Sequence, residues 1–462
     1  RLVLGGFVNT VTVSNVETIT GGSSTDLVTL SGTVTGATVD LGRGTDRLSL
    51  SAGGATVTAS NVETVVGGAG TDVLTFAAQA TNVSVDLAGG SDRLVLGDFH
   101  NTLSVANVET IVGGASIDSV VLTAQATGST IDLGASADKL TLGAFVNTVS
   151  VANVETLLGG VSSDTVTFTA LASGVTVDLG AGNDKLTLGA FANSVTVSNA
   201  ETIIGGSVDD IVVLGAVTTG ATIDLGAGAD RLTLASSGGT VTVSGVETLV
   251  GSGTGDLVVL GAQATGTTVN LGNGVDRLVL GAFVNTVTVT NVETVTGGAS
   301  ADTVTLAASV TAGTFSLGGG ADRLILAATG GTLTAGDVET VTGGTGIDVI
   351  TLSTQATGTT VDLGGGADKL TLGAFANTLT VSNVETLVAS ASSDSITYAT
   401  ALAGAVDLGG GEDRLTLGDF VNTVTVSNVE TITGGTTSDI VTLATQARGI
   451  TVDLGGGTDR LV

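Results

Sequence analysis

The sequence predicts an all-β fold, a parallel β-solenoid of the β-helix or β-roll kind. Three observations predict it. First, the chain repeats itself. The Glu of a Val/Ala-Glu-Thr step stands at Glu17, Glu63, Glu109, Glu155, Glu201, Glu247, Glu293, Glu339, Glu385 and Glu430, 46 residues apart eight times and then 45. A fixed period of this length marks a stacked array whose units bury their apolar faces on one another. Second, the segments between turns alternate with period two and are rich in Val, Thr, Ile and Leu, the pattern of strands with one buried side. Third, the chain has 72 Gly and no Pro. Gly and β-branched residues dominate where a helix would need Ala, Leu, Lys and Glu.

Each 46-residue unit divides at its Asp-x-Leu/Val steps, which fall at Asp26 and Asp46, Asp72 and Asp92, Asp118 and Asp138, and so on to Asp439 and Asp459. The intervals alternate between 20 and 26 residues, which suggests about two coils per repeat and about 20 coils in all. The shorter coil runs through Asp72-Val-Leu-Thr-Phe and Val83-Ser-Val-Asp-Leu87. The longer one runs through Asp92-Arg-Leu-Val-Leu96, a corner at Gly97 to Asn101, Thr102-Leu-Ser-Val105, a bend at Ala106-Asn107, and Val108-Glu-Thr-Ile111. Alternation turns Leu94 and Leu96 inward and Arg93 and Val95 outward. The bend residue is Asn15, Asn61, Asn107, Asn153, Asn199, Gly245, Asn291, Asp337, Asn383 or Asn428. Asn, Gly and Asp share tolerance of left-handed backbone angles, so this position is a corner with φ > 0. Residues 1–462 thus form one continuous array of ten repeats, read as a segment of a longer repetitive chain.

Composition excludes several functions. There is no Cys, so no disulfide or thiolate site. The single His, His100, leaves no His-rich metal site. The formal charge of -30 opposes binding to nucleic acid, whose phosphates need Lys and Arg. No apolar run is long enough for a membrane span. An enzyme needs a unique convergent constellation, whereas the irregular charges Asp98, Asp209, Asp337, Asp419, Arg43 and Arg448 are scattered.

The strongest chemical signal is the turn before each Asp. Gly67-Gly68-Ala-Gly70-Thr-Asp72-Val-Leu-Thr and Gly343-Gly344-Thr-Gly346-Ile-Asp348-Val-Ile-Thr match G-G-x-G-x-D-x-U-x in full. A second series carries G-x-G-x-D: Gly180, Gly182 and Asp184; Gly226, Gly228 and Asp230; Gly272, Gly274 and Asp276; Gly318, Gly320 and Asp322; Gly364, Gly366 and Asp368; Gly409, Gly411 and Asp413; Gly455, Gly457 and Asp459. Asp26, Asp46, Asp92 and Asp302 close further turns of this kind. These segments resemble the RTX, or haemolysin-type, calcium-binding repeats of secreted bacterial proteins. The resemblance implies calcium held between turns of adjacent coils, and export through a type I system with folding outside the cell. Physics adds its own argument. Carboxylates stacked about 5 Å apart repel unless a cation intervenes or their pKa values rise. Calcium takes carboxylate and carbonyl oxygens. The alternative is an Asx-turn hydrogen bond that merely caps each corner. The 20- and 26-residue spacing puts the whole row on one edge. The turn before Asp394 has no Gly, and Ser136 replaces one before Asp138.

Other features read as structural. Phe7, Phe99, Phe145, Phe191, Phe283, Phe375 and Phe420 share one corner position, with Gly53, Ser237 and Thr329 in the remaining repeats, and suggest a core or corner ladder. The Glu17 row reads as a solvated or salt-bridged face, its direction left open by apolar neighbours three apart. Basic residues follow the alternate Asp and point outward. The function expected is an extracellular, secreted or surface-attached structural or adhesive rod: a surface-layer, matrix-filament or adhesin-stalk component. It would bind calcium and self-associate end to end or laterally, with surface polysaccharide as a further partner. Outward Thr arrays such as Thr10 and Thr12 or Thr56 and Thr58 give the alternative, an ice- or polysaccharide-binding solenoid. A polysaccharide-processing enzyme ranks last.

Overall fold

The computed structural model describes residues 1–445 and 448–462. Every described element is a strand, and the described strand pairings are parallel. The fold is an all-β parallel β-solenoid. The chain falls into two compact units, Arg1–Ala235 and Ser236–Val462, each built the same way.

In the first unit the opening strands are β1 (Leu2–Val3), β2 (Asn9–Val13), β3 (Thr18–Thr20), β4 (Asp26–Leu30), β5 (Val34–Asp40), β6 (Arg47–Ser49), β7 (Ala55–Ser60), β8 (Thr64–Val66), β9 (Val73–Phe76) and β10 (Thr81–Asp86). Each pairs with the strand two places on: β1 with β3, β2 with β4, β3 with β5, β4 with β6. A coil therefore holds two strands, one in each of two facing sheets. One 46-residue repeat supplies five strands, from β1 to β5. The expectation of about two coils per repeat is thereby sharpened to two and a half. Register shows the same thing: partners lie 17 residues apart in Asn9↔Asp26, 20 in Leu27↔Arg47 and 17 in Arg47↔Thr64.

The half coil has a large consequence. Whatever a repeat carries on one side, the next repeat carries on the other. Strand β1 lies in one sheet and its counterpart β6 in the opposite one. The same rule holds in the second unit, where Arg277–Val279 pairs with Thr294–Thr296 in one sheet and Arg323–Ile325 with Thr340–Thr342 in the other.

The core consists of the inward rows. Val28, Leu48, Val65, Leu94, Leu140 and Leu186 are fully buried, as are Val258, Leu278, Leu324 and Leu370 in the second unit. Each such side chain contributes roughly 1.5–3 kcal/mol by leaving water. The bends behave as the residue choice implies. All ten bend positions have φ between 51° and 58°, including Gly245 at 58° and Asp337 at 52°. Stacking of the bend Asn side chains on one another does not occur, because consecutive bends alternate sides. Asn61 Nδ2 instead donates to Asp40 Oδ1 of the previous coil at 2.7 Å, and Asn107 to Asp86 likewise. The Phe corners are also not core. Phe99, Phe145 and Phe191 are 39–42% exposed.

Candidate functional site

The aspartates of the Gly-Asp turns are buried. Asp26 begins β4 in the same inward row as Val28 and Leu30, and its burial follows from that parity. Asp46, Asp72, Asp92, Asp184, Asp230, Asp276, Asp302, Asp322, Asp348, Asp368 and Asp413 are all 0–2% exposed. Asp459 also heads its segment and accepts from the Asp439 amide at 2.9 Å.

Buried carboxylates need donors, and the adjacent coil supplies them. On one edge of the first unit, Asn9 Nδ2 donates to Asp26 Oδ1 at 2.6 Å. The Asp26 amide then donates to Asp46 Oδ1 at 2.7 Å, and the Asp46 amide to Glu63 Oε2 at 2.7 Å. Five coils further on the same edge, Asn101, Asp118, Asp138 and Glu155 repeat the relay at 2.8, 2.7 and 2.8 Å. The opposite edge carries Asn147, Asp164, Asp184 and Glu201 at 2.9, 2.6 and 2.7 Å. In the second unit Asn285, Asp302, Asp322 and Glu339 link at 2.9, 2.6 and 2.7 Å. The single edge row expected from the 20/26 spacing is thus corrected. Each repeat stacks two Asp and one Glu on three successive coils, and consecutive repeats place their stacks on alternate edges, because a repeat spans two and a half coils.

The Glu row, expected as a solvated or salt-bridged face, instead belongs to this site by accepting from Asp amides, and the Phe-x-Asn asparagines belong to it as well. Both lie 17 residues from an Asp, Asn9 before Asp26 and Glu63 after Asp46. That interval is a coil length in the structure, where coils of 17 and 20 residues replace the expected 20 and 26.

Some carboxylate oxygens of the stacks stand apart, and several stacks hold two, as at Asp164 and Asp184 or Asp302 and Asp322. Asp46, Asp92, Asp138, Asp184, Asp276, Asp322, Asp368 and Asp413 each use Oδ1 in the relay and leave a buried Oδ2 with no hydrogen-bond partner. Burial pushes the carboxyls of Asp92, Asp138, Asp184, Asp322 and Asp413 up to about 6. The hydrogen bond from the preceding Asp amide opposes this, and the neighbouring Asp and Glu charges add to it. Asp46, Asp276 and Asp368 are raised for the same leading reason.

The glycines hold the turns open to the coil beneath. Gly180 has φ 87°, and a Cβ there would collide with the Gly160 carbonyl oxygen. Gly226, Gly272, Gly318, Gly364, Gly409 and Gly455 sit on a carbonyl in the same way. A Cβ at Gly182, Gly228, Gly274, Gly320, Gly366, Gly411 or Gly457 would come within 2.6–2.8 Å of backbone atoms of the preceding turn. In the other series, Gly67 and Gly343 face the Leu87 and Leu363 carbonyls, while Gly68, Gly70, Gly344 and Gly346 face backbone of the turn below. Close approach of backbones is therefore a sufficient reason for these glycines. The relay itself survives without them. Asp394, whose turn has none, still accepts from Asn377 Nδ2 at 2.8 Å and donates to Asp413 at 2.7 Å.

As donors the stacks offer hard, anionic oxygen, which suits a hard cation. Among the described residues no group of three or more acidic or His side chains converges as a metal cluster. A calcium ion would have to take most of its six to eight oxygens from backbone carbonyls. The irregular acids cap turns: Asp98 accepts from the Ala115 amide, Asp419 from Thr436 and Asp209 from Ala229. No described helix is long and apolar enough to cross a membrane. No protein-family model matches the chain, and no curated protein matches it.

Proposed function

We propose that this chain is a secreted, extracellular structural or adhesive rod whose stacked carboxylates are neutralised by calcium, and that it associates with copies of itself. The observation that carries this reading is the buried, unpartnered Oδ2 recurring at Asp46, Asp92, Asp138, Asp184, Asp276, Asp322, Asp368 and Asp413. A buried carboxylate oxygen without a donor is costly unless it takes a proton or a cation. Extracellular calcium at neutral pH is the natural second choice, and the RTX-like turns ahead of these residues support it, together with type I export. Asp46-type residues would hold the ion, with carbonyls of the Gly-rich turns completing its shell. The ion would supply charge compensation and no catalysis. Repetition supports a spacer or lattice role, since nearly identical units make a mechanical element and not a unique cleft.

Ice binding ranks below this. Every sheet face is interrupted by a Lys or Arg, as at Arg47, Arg93, Lys139 and Lys185, all exposed.

Thermal melts by circular dichroism test the calcium reading. An ion that binds only the folded state raises Tm with concentration. At pH 7.5 we expect Tm to rise between chelator and millimolar calcium, and to respond much less to magnesium. An identical melt in chelator and in calcium would remove calcium from the account and leave protons as the compensating charge.

A further inference from the structure

The half-coil step distributes the outward charges in a way that specifies how two copies meet. Net charge is heavily negative, yet in the first unit the sheet faces are balanced. On one face the outward residues include Asp40, Arg93, Asp132, Lys185 and Asp224; on the other, Arg47, Asp86, Lys139, Asp178 and Arg231. The excess of acid lies in the buried stacks at the edges. Along each face the signs alternate. Arg93 follows Asp40 by three strands and precedes Asp132 by two, and Lys185 and Asp224 continue with three and two. The opposite face runs Arg47, two strands to Asp86, three to Lys139, two to Asp178 and three to Arg231. At about 4.8 Å per strand these steps are roughly 10 and 14 Å, with a period of about 24 Å.

The ladder partners of the cations are uncharged: Arg93 lies between Val73 and Thr110, Lys139 between Ser119 and Thr156, and Lys185 between Thr165 and Thr202. Arg47 lies between Leu27 and Thr64 in its sheet. Asp86 stands two residues along the strand from Ser84, which continues the Arg47 row through Thr64, so the two charge rows are about 7 Å apart. The remaining outward side chains are mostly Thr, Ser and Val.

The geometry points to a second copy of this chain as the partner of these faces, docked face to face with its axis antiparallel. The unequal steps decide the orientation. If the partner runs antiparallel, one offset along the axis sets every cation level with an acid and every acid level with a cation, displaced sideways by the separation of the two rows. This works because reversing a two-then-three series while exchanging its signs returns the same series. If the partner runs parallel, an offset that matches the cations leaves the acids facing uncharged strands. Long Lys and Arg side chains span the lateral separation of the rows. In the second unit Asn270 and Ser316 stand where the outward acid would be, so pairing is weighted toward the first unit. This inference rests on the self-association proposed above and names its surface and polarity.

Sedimentation velocity on the 462-residue chain tests it, at 20 mM and 500 mM NaCl in calcium buffer. Pairing should weaken at least tenfold at high salt, as screened surface charges require. The variant Arg47→Glu, Arg93→Glu, Lys139→Glu, Lys185→Glu, Arg231→Glu alters exposed residues only and should be folded by circular dichroism but monomeric. Zero-length carbodiimide cross-linking of mixed ¹⁴N and ¹⁵N chains should join Lys139 of one copy to Asp86 or Asp178 of the other, and Lys185 to Asp132 or Asp224. A monomer under all conditions would overturn both this surface and the self-association reading. Association that persists unchanged in the charge-reversed variant would overturn the surface and polarity alone. Cross-links joining like positions of two copies in parallel register would overturn the polarity.

Discussion

Seven repeats carry Phe-x-Asn at the corner before the Asp pair, and three do not. The two kinds of corner differ in how they treat the same buried carboxylate. Where the motif is present, Asn147 Nδ2 donates to Asp164 Oδ1 at 2.9 Å and to the Phe145 carbonyl at 2.8 Å, while its own Oδ1 accepts from the Ala126 amide at 3.0 Å. One side chain ties three coils together. Where Gly53, Ser237 and Thr329 replace Phe, the Asn is replaced as well, by Ala55, Gly239 and Gly331. In those repeats Asp72, Asp256 and Asp348 each have a buried Oδ1 with no hydrogen-bond partner. In the Phe-x-Asn corners the Asn amide donates to the carbonyl of the Phe two residues before it. The lesson is that a repeat of uniform length is not uniform in satisfaction. Three corners retain the carboxylate and lose its side-chain donor.

The largest effect should come from breaking a satisfied corner. Asn147→Ala removes donors to two carbonyls and a carboxylate, all buried or half-buried. It should destabilise by about 1–3 kcal/mol, read from the midpoint of denaturant unfolding. A cost under about 0.5 kcal/mol would mean that the relay contributes geometry and little energy.

The converse experiment repairs an unsatisfied corner. Gly53→Phe with Ala55→Asn should stabilise by about 1 kcal/mol, by giving Asp72 Oδ1 a donor. The gain should depend on pH. Burial raises the Asp72 carboxyl, as it does Asp92 beside it, which lies at about 6. A folded-state pKa above the unfolded value means that the folded form holds its proton more tightly. In chelator, the associated stability is therefore complete below about pH 4 and is lost as pH rises through the raised values. Tm of the unmodified chain should fall between pH 4 and pH 7. The repaired corner, whose Asn amide favours the charged form, should gain more at pH 7 than at pH 4. A Tm that rises over that interval would contradict the protonation picture.

The smallest effect belongs to the ring itself. Phe145→Ser, which copies the Ser237 corner, should cost less than about 1.5 kcal/mol in the same denaturant titration, because the ring is already 41% exposed. A larger loss would show that the Phe, and not the Asn, organises the corner.

Much of this was legible in the residues. The Leu94 and Leu96 parity fixed which strand faces turn inward, and the choice of Asn, Gly or Asp at one bend announced the positive φ that all ten bends adopt. Parity could also have placed the aspartates, since Asp92 shares its face with Leu94 and Leu96. The expectation of a single edge followed the glycines and left that alternation unused. The Glu63 row could not be oriented from local pattern, because its partner is an amide on another coil.

By itself the sequence determined the class of fold, the repeat, the inward and outward rows and the acidity of the turns, because each is set by spacing along one chain. Only the tertiary structure decided the number of coils per repeat. Two and a half is not an integer, and that half coil sends each repeat's carboxylates to the edge opposite its neighbour's. It stacks Asn, Asp, Asp and Glu from different coils into one relay, and it leaves the charges alternating on both faces. Such relations exist between coils and depend on where the chain closes each turn, a length set by packing of the corners and not by the period of the text.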